Sequence, residues 1–259
     1  MAELHKYLTP MDKYTKDLPF YVDNLFTDEE LEELRQVIDA NKYGLKPVIQ
    51  GELEKQDEEN MNRFRPKHIG VMSRTLIEFE MPKHIEEKLD LIAKPLYDGD
   101  IALCHYNYIE YSRKYSDDKR SPMLPPHIDA DENLVTINYC MDGNVEWDLY
   151  VSEQDNSSSF KRYTLKPGQA IIFSAVNQIH WRPKRRMVEG EFLEILSMDW
   201  CPTTNYRFMN EPNPLDSQKN PQARKEYVDS LNMRSDFRAA WDLYNKDGIE
   251  DGIGMREEY

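Results

Sequence analysis

The chain has 259 residues, is 39% hydrophobic and 31% charged, and carries a net charge of −15. This length can bury a substantial core, while the acidic balance argues against general nucleic-acid binding, which needs a broad basic face. No run approaches the ~18 consecutive apolar residues of a membrane helix, and the opening "MAELHKYLTPMDKY" has no apolar stretch suited to a secretory signal, so a cytoplasmic protein with no membrane partner is expected.

In chain order, "LPFYVDNLF" reads as a short strand. "TDEELEELRQVIDAN" follows as a helix. Thr27 and Glu30 have the spacing of a capping box, and Leu31, Leu34 and Ile38 recur on one face. "GELEKQDEENMNRFRPK" is charged and aperiodic, a surface loop. A second helix fits "MPKHIEEKLDLIAKPL", with Pro82 in its first turn, Ile85, Leu89 and Ile92 on one face, and Pro95 as its stop.

From Ile101 the texture changes. "IALCHYNYIEY", "LVTINYCM", "VEWDLYV", "YTLKPGQAIIF" and "FLEILSMDW" are short, rich in β-branched and aromatic residues, and separated by turn signals such as "MDGN" and "KPGQ". This is an all-β unit closed as a barrel or sandwich. After Cys201 the chain turns polar and rich in Pro and Asn. A last helix contains Phe237, Ala240, Trp241 and Tyr244, and the tail "DGIEDGIGMREEY" is expected to fray. Cys104, Cys140 and Cys201 lie far apart with no CxxC, which predicts buried free thiols and no disulfide framework. Oligomeric state is not legible.

"PPHIDADENLVTINY" holds a His-x-Asp at His127 and Asp129. Six histidines among 48 acidic residues produce about one His-x-acid pair by chance, and the chain has a second in His84-Ile85-Glu86. Local structure separates them. On a helix, residues two apart point to nearly opposite sides. At the start of a strand they face the same side, so His127 and Asp129 can converge on one point. The alternative is a solvated turn fixed by Pro125-Pro126. His180 follows the buried strand "AIIF" and could supply a third ligand. Two His and one carboxylate are the facial triad of Fe(II) oxygenases; zinc accepts the same donors.

With these motifs in place, the region Tyr111 to Trp200 resembles the double-stranded β-helix of 2-oxoglutarate/Fe(II)-dependent dioxygenases, nearest to the prolyl 4-hydroxylase-like group. "YSRKYSDDKRSPMLPPHID" resembles the strand running into that group's His-x-Asp, and "LVTINYCMD" the strand after it. "LKPGQAIIF" resembles the Pro-Gly turn and strand before the distal His, where His180 falls. "FYVDNLFTDEELEELRQVI" resembles the capped helix before the barrel. The resemblance implies a mainly β fold with flanking helices around a jelly-roll, cupin-like double-stranded β-helix. One domain over 1–259 is expected: a strand and helices (17–98) packing on the core, the β-helix (99–202) and a C-terminal helical extension (203–259).

The resemblance further implies that His127, Asp129 and His180 hold Fe(II), with 2-oxoglutarate and O₂ as co-substrates. 2-Oxoglutarate is oxidatively decarboxylated to succinate while an unactivated C–H is hydroxylated. Halogenating relatives lack the carboxylate ligand, so Asp129 favours hydroxylation. The far carboxylate of 2-oxoglutarate needs a buried cation and a hydroxyl donor. Family members carry Arg or Lys about ten residues after the distal His; here that place reads "EGEFLE", Glu189 to Glu194, with no base. Arg182, two residues from His180, is expected to serve instead, with Arg186 second. Lys184 and Arg185 read equally well as a solvated basic turn. Tyr111 is the expected hydroxyl donor, with Tyr108 second. Asn138 shares a strand face with Thr136 and Cys140 and is a candidate for lining the pocket; Trp147 and Trp181 read as core or rim.

The leading reading is a hydroxylase of a protein or peptide side chain such as proline. A free amino acid or small metabolite is the alternative within the class. The rivals are a cupin-like binding module without turnover and a zinc hydrolase, which would need a general base that no residue supplies. Substrate selection would lie in loops such as Gly51 to Lys67, Ser112 to Leu124 and Asp155 to Ser159.

Overall fold

In a computed structural model, residues 11–42, 75–77, 79–112, 124–129, 133–153, 159–183, 185, 187–203 and 234–247 are described. Ten strands form two antiparallel sheets. The larger orders its strands β1 (Phe20–Asp23), β8 (Gln169–Phe173), β5 (Val135–Gly143), β10 (Phe192–Pro202), β3 (Ile101–Ser112), β2 (Thr75–Ile77). The smaller orders β4 (Leu124–His127), β9 (His180–Arg182), β6 (Leu149–Ser152), β7 (Phe160–Tyr163).

The central strands of the larger sheet are buried on both faces, which is why they read as near-continuous apolar runs. On β10, Leu196, Met198 and Trp200 join the core with the helices, whereas Leu193 and Ile195 join the core between the sheets. On β5, Ile137 and Tyr139 face the helices and Cys140 faces inward. Helices α1 (Asp28–Lys42) and α2 (Lys83–Ala93) bury Leu34, Ile38, Ile85 and Leu89 in the outer core. The capping box forms: Glu30 N–H donates to Thr27 Oγ1 at 3.2 Å and Thr27 N–H to Glu30 Oε2 at 2.7 Å. Pro82 occupies the N-cap of α2, and Pro95 falls in a short 3₁₀ turn (Lys94–Leu96) after the helix has ended. A third helix, α3 (Ser235–Asp247), buries Phe237, Ala240 and Tyr244 with Ile128, Ile179 and Trp181, beside strands β4 and β9 of the smaller sheet.

The segment 17–98 also pairs into the sheet: β1 pairs with β8 and β2 with β3, so it supplies both edges of the larger sheet. The turn expected at "KPGQ" forms: Gln169 N–H closes it on the Lys166 carbonyl at 2.9 Å, and Gly168 adopts φ +90° there, a conformation open to glycine at no steric cost. Two expectations need correction. The predicted strand "VEWDLYV" is extended only from Leu149.

The second concerns the thiols. Cys104 and Cys201 are joined in a disulfide; Cys140 alone is a free, buried cysteine. Strands β3 and β10 pair along their whole length, but the register shifts so that Asp199 faces His105 and Trp200 faces Leu103. Cys104 is the extra residue of that bulge and swings beside Cys201. A contact made by one inserted residue across 97 positions leaves no trace in cysteine spacing.

Candidate functional site

His127 ends β4 and His180 opens β9, and the pairing register sets them directly opposite each other. Their rings lie 4.1 Å apart between centroids. Asp129, just past β4, is anchored by its N–H to the Ala175 carbonyl at 2.9 Å. Its Oδ1 lies 3.6 Å from His127 Nε2 and 3.8 Å from His180 Nε2. One donor atom from each of the three residues falls within 4.8 Å of the others, so the three predicted ligands meet at one point.

The surroundings settle which atoms face that point. His127 Nδ1 lies 2.7 Å from the Pro125 carbonyl and His180 Nδ1 lies 3.1 Å from the Gln178 carbonyl. A carbonyl accepts, so each Nδ1 carries the proton and each Nε2 presents a lone pair. Burial holds the His180 pKa below its ordinary value, against the upward pull of Asp129, and favours the neutral, ligating form. Asn133 donates Nδ2 to the other Asp129 oxygen, Oδ2, at 2.8 Å. Sequence reading missed Asn133; its signal was its place four residues after Asp129. The donor set fits a divalent transition metal with open coordination positions.

Next to the triad lies the apolar cluster between the sheets, which includes Ile109, Cys140, Ile171, Phe173 and Ile195; the Phe173 ring meets that of His180 at 5.0 Å. Arg182 projects into it. The side chain is 2% exposed, its guanidinium stacks 5.4 Å from the Trp147 ring and Nη1 donates to the Trp147 carbonyl, while Nη2 is buried with no hydrogen-bond partner among the described residues. Burial lowers its pKa from the ordinary value. Tyr111 is buried in the same core and meets Trp147 edge-on at 4.9 Å. Tyr108 does not join them: three residues earlier on β3, it points to the opposite face of the sheet, into the helix-side core. Arg186 and Lys184 lie outside the described residues, as do residues 51–67, 113–123 and 155–158 of the predicted selection loops. Arg185, half-buried, is held by the Glu146 carbonyl and by Glu191 at 3.0 Å.

The inner face of the larger sheet is graded. Ile109 pairs with Ile195 and Tyr111 with Leu193, but further along the strands the rows become Asn107–Ser197–Asn138 and His105–Asp199–Thr136. Thr136 donates to Asp199 at 2.6 Å, and Asn138 Oδ1 is buried without a partner among the described residues. Asn138 therefore stands, as predicted, on the inward strand face with Thr136 and Cys140. Trp147 and Trp181 are core residues, the latter stacked on Tyr150 at 4.9 Å.

No family model matches the chain and no curated protein does. Solved structures do. The non-heme alpha ketoglutarate dependent epimerase SnoN from nogalamycin biosynthesis superposes with a TM-score of 0.52 at 10% identity, over 78% of this chain and 84% of that one. SnoN in complex with Fe3+, alpha ketoglutarate and nogalamycin RO gives 0.51 at 11% identity, over 78% and 85%. The fold is the double-stranded β-helix. A prolyl hydroxylase from Trichoplax adhaerens, in complex with a hypoxia inducible factor peptide fragment, gives 0.49 at 12% identity over 74% of this chain and 86% of that chain. In this β-helix the triad sits on the smaller sheet and its outer wall is covered by α3. Among the described residues no helix is long and apolar enough to cross a membrane.

Proposed function

We propose that the chain is an Fe(II)/2-oxoglutarate-dependent dioxygenase that hydroxylates an unactivated C–H of a protein or peptide side chain, proline first among them, with succinate as co-product. The observation that carries the reaction class is the pairing of a His127–Asp129–His180 donor set with a buried, half-unpartnered guanidinium two residues further along the same strand. The proline assignment rests on the resemblance of the strand motifs. A free amino acid or small metabolite is the runner-up.

His127 Nε2, His180 Nε2 and Asp129 Oδ1 would hold the metal, each oriented by a second hydrogen bond. When bound, Fe(II) with 2-oxoglutarate and O₂ supplies the oxidising power for C–H hydroxylation. Arg182 offers Nη2 to the far carboxylate, replacing the absent basic residue at "EGEFLE"; Tyr111 is the proposed hydroxyl donor beside it. The apolar wall of Ile109, Ile171 and Ile195 excludes water around that contact and strengthens it. Arg182 also weakens the binding-module reading, because a chain that had lost the co-substrate has no use for a buried cation with a free N–H. The zinc-hydrolase reading lacks a general base among the described groups near the triad.

The test is an anaerobic absorbance titration of metal-free protein with Fe(II) and then 2-oxoglutarate. A visible charge-transfer band that develops only with both, and is lost in Asp129→Ala, is the expected result. Metal binding without a band would overturn the co-substrate assignment.

A further inference from the structure

The Cys104–Cys201 disulfide ends one hydrogen bond away from the metal-ligand shell. Cys201 Sγ lies 3.6 Å from Asn133 Oδ1, and Asn133 Nδ2 lies 2.8 Å from Asp129 Oδ2. Both Asn133 and Cys201 are buried, at 6% and 4% exposure. The backbone around Asn133 is pinned at both sides: its carbonyl accepts from Val176 N–H at 3.2 Å, and Leu134 N–H donates to the Trp200 carbonyl at 2.9 Å. The amide therefore has one route of adjustment, rotation of its own side chain.

We propose that Asn133 is a positioning residue for Asp129 and that the oxidation state of Cys104 and Cys201 sets how firmly it holds, so that the dithiol chain binds metal more tightly than the disulfide chain. The inference rests on the reading of His127, Asp129 and His180 as metal ligands.

The chemistry follows from donor counting. An amide has one acceptor oxygen and one donor nitrogen. The Asp129 carboxylate only accepts, so the nitrogen must face it, and the oxygen must face Cys201. A disulfide sulfur carries no proton and meets that oxygen acceptor to acceptor. A thiol donates its S–H there. Reduction thus completes a chain in which Cys201 S–H donates to Asn133, Asn133 N–H donates to Asp129, and Asp129 keeps Oδ1 turned toward the two histidines. Oxidation breaks two S–H bonds and forms one S–S bond, and the two electrons and two protons pass to a small-molecule disulfide such as oxidised glutathione, which leaves as two thiols. Exchange begins at Cys104, the less buried partner.

The experiment uses the full chain and Mn(II) alone as probe, with the free ion followed by electron paramagnetic resonance. One sample is oxidised with glutathione disulfide, another reduced with a phosphine, and thiol counts under denaturing conditions fix each state. The reduced protein is expected to bind Mn(II) about three- to tenfold more tightly. Cys104→Ser, which leaves a thiol on Cys201, should bind at the reduced level under either treatment. Asn133→Ala should bind roughly 10- to 100-fold more weakly, the usual cost of removing a ligand's hydrogen-bond partner, and be indifferent to redox state. Should Asn133→Ala fail to fold, Cys201→Ser against Cys201→Ala decides. The hydroxyl should keep tight binding and the methyl lose it. Equal affinity in the two redox states, or equal affinity of Cys201→Ser and Cys201→Ala, overturns this inference and leaves the metal assignment standing. No Mn(II) binding in either state overturns the metal assignment, and this inference with it.

Discussion

Arg182 places a charge where solvation is poor. One of its nitrogens reaches a carbonyl, and among the described residues the other reaches nothing and no carboxylate is in ion-pair contact, though the Asp148 charge acts on it from further off. A buried ion without a contacting counter-ion is destabilising by several kcal/mol, a cost that the proposed carboxylate ligand would offset. Arg182→Met should weaken 2-oxoglutarate binding by about 100-fold or more while leaving Mn(II) affinity unchanged. It should also leave the melting temperature of the ligand-free protein unchanged or higher. Calorimetric titration and a melting curve measure both, and a sharp loss of stability would mean that Arg182 serves the fold. Cys140, in the apolar cluster beside Arg182, behaves oppositely. Burial pushes its thiol from 9.0 up to about 11, so it stays protonated at neutral pH and is no nucleophile. Because the unfolded thiol ionises first, its contribution to stability is full below about pH 9 and is lost as the pH rises toward 11. Melting temperatures of wild type should fall over that window more than those of Cys140→Ala.

The strand pair β4–β9 is where element geometry becomes chemistry. Antiparallel pairing in register puts His127 opposite His180, and a slip of one residue would turn one of them away. Part of this was legible: His-x-Asp at the head of a strand has to present both side chains on one face, and the Pro-Gly turn located the strand before His180. The pairing partner was not legible, because β4 and β9 are more than fifty residues apart and nothing local encodes their register. The same limit hid the Cys104–Cys201 bond, and it explains why Tyr108 was set beside Tyr111. Both are aromatic and both are buried, but an odd spacing on β3 sends them to opposite cores. Helix α1 shows the reverse case. Its capping box is wholly local and was read correctly from Thr27 and Glu30. Thr27→Ala should cost about 1 kcal/mol, which for a chain of this size lowers the melting temperature by about 2–4 °C. Mn(II) affinity should be unaffected, since α1 lies on the far side of the larger sheet. A change in affinity would show that the helix layer tunes the site.

At the scale of the molecule, the net charge of −15 coexists with a buried Arg182, so the cation that matters is invisible in the total. The inner face of the larger sheet is graded from apolar rows near Arg182 to polar rows at Asn138 and His105. The disulfide has a topological consequence. It closes a ring from Cys104 to Cys201 that contains His127, Asp129, His180 and Arg182, while α1, α2, α3 and both edge strands of the larger sheet stay outside it. One peptide-bond cut within the ring leaves a single covalent molecule. A protease-nicked, oxidised sample should therefore migrate at full length on a denaturing gel and fall into two pieces only after reduction. Every strand that carries a proposed ligand is strung on one closed loop, whereas the edge strands and helices that pack on it are held by strand pairing and burial and lie outside the covalent ring.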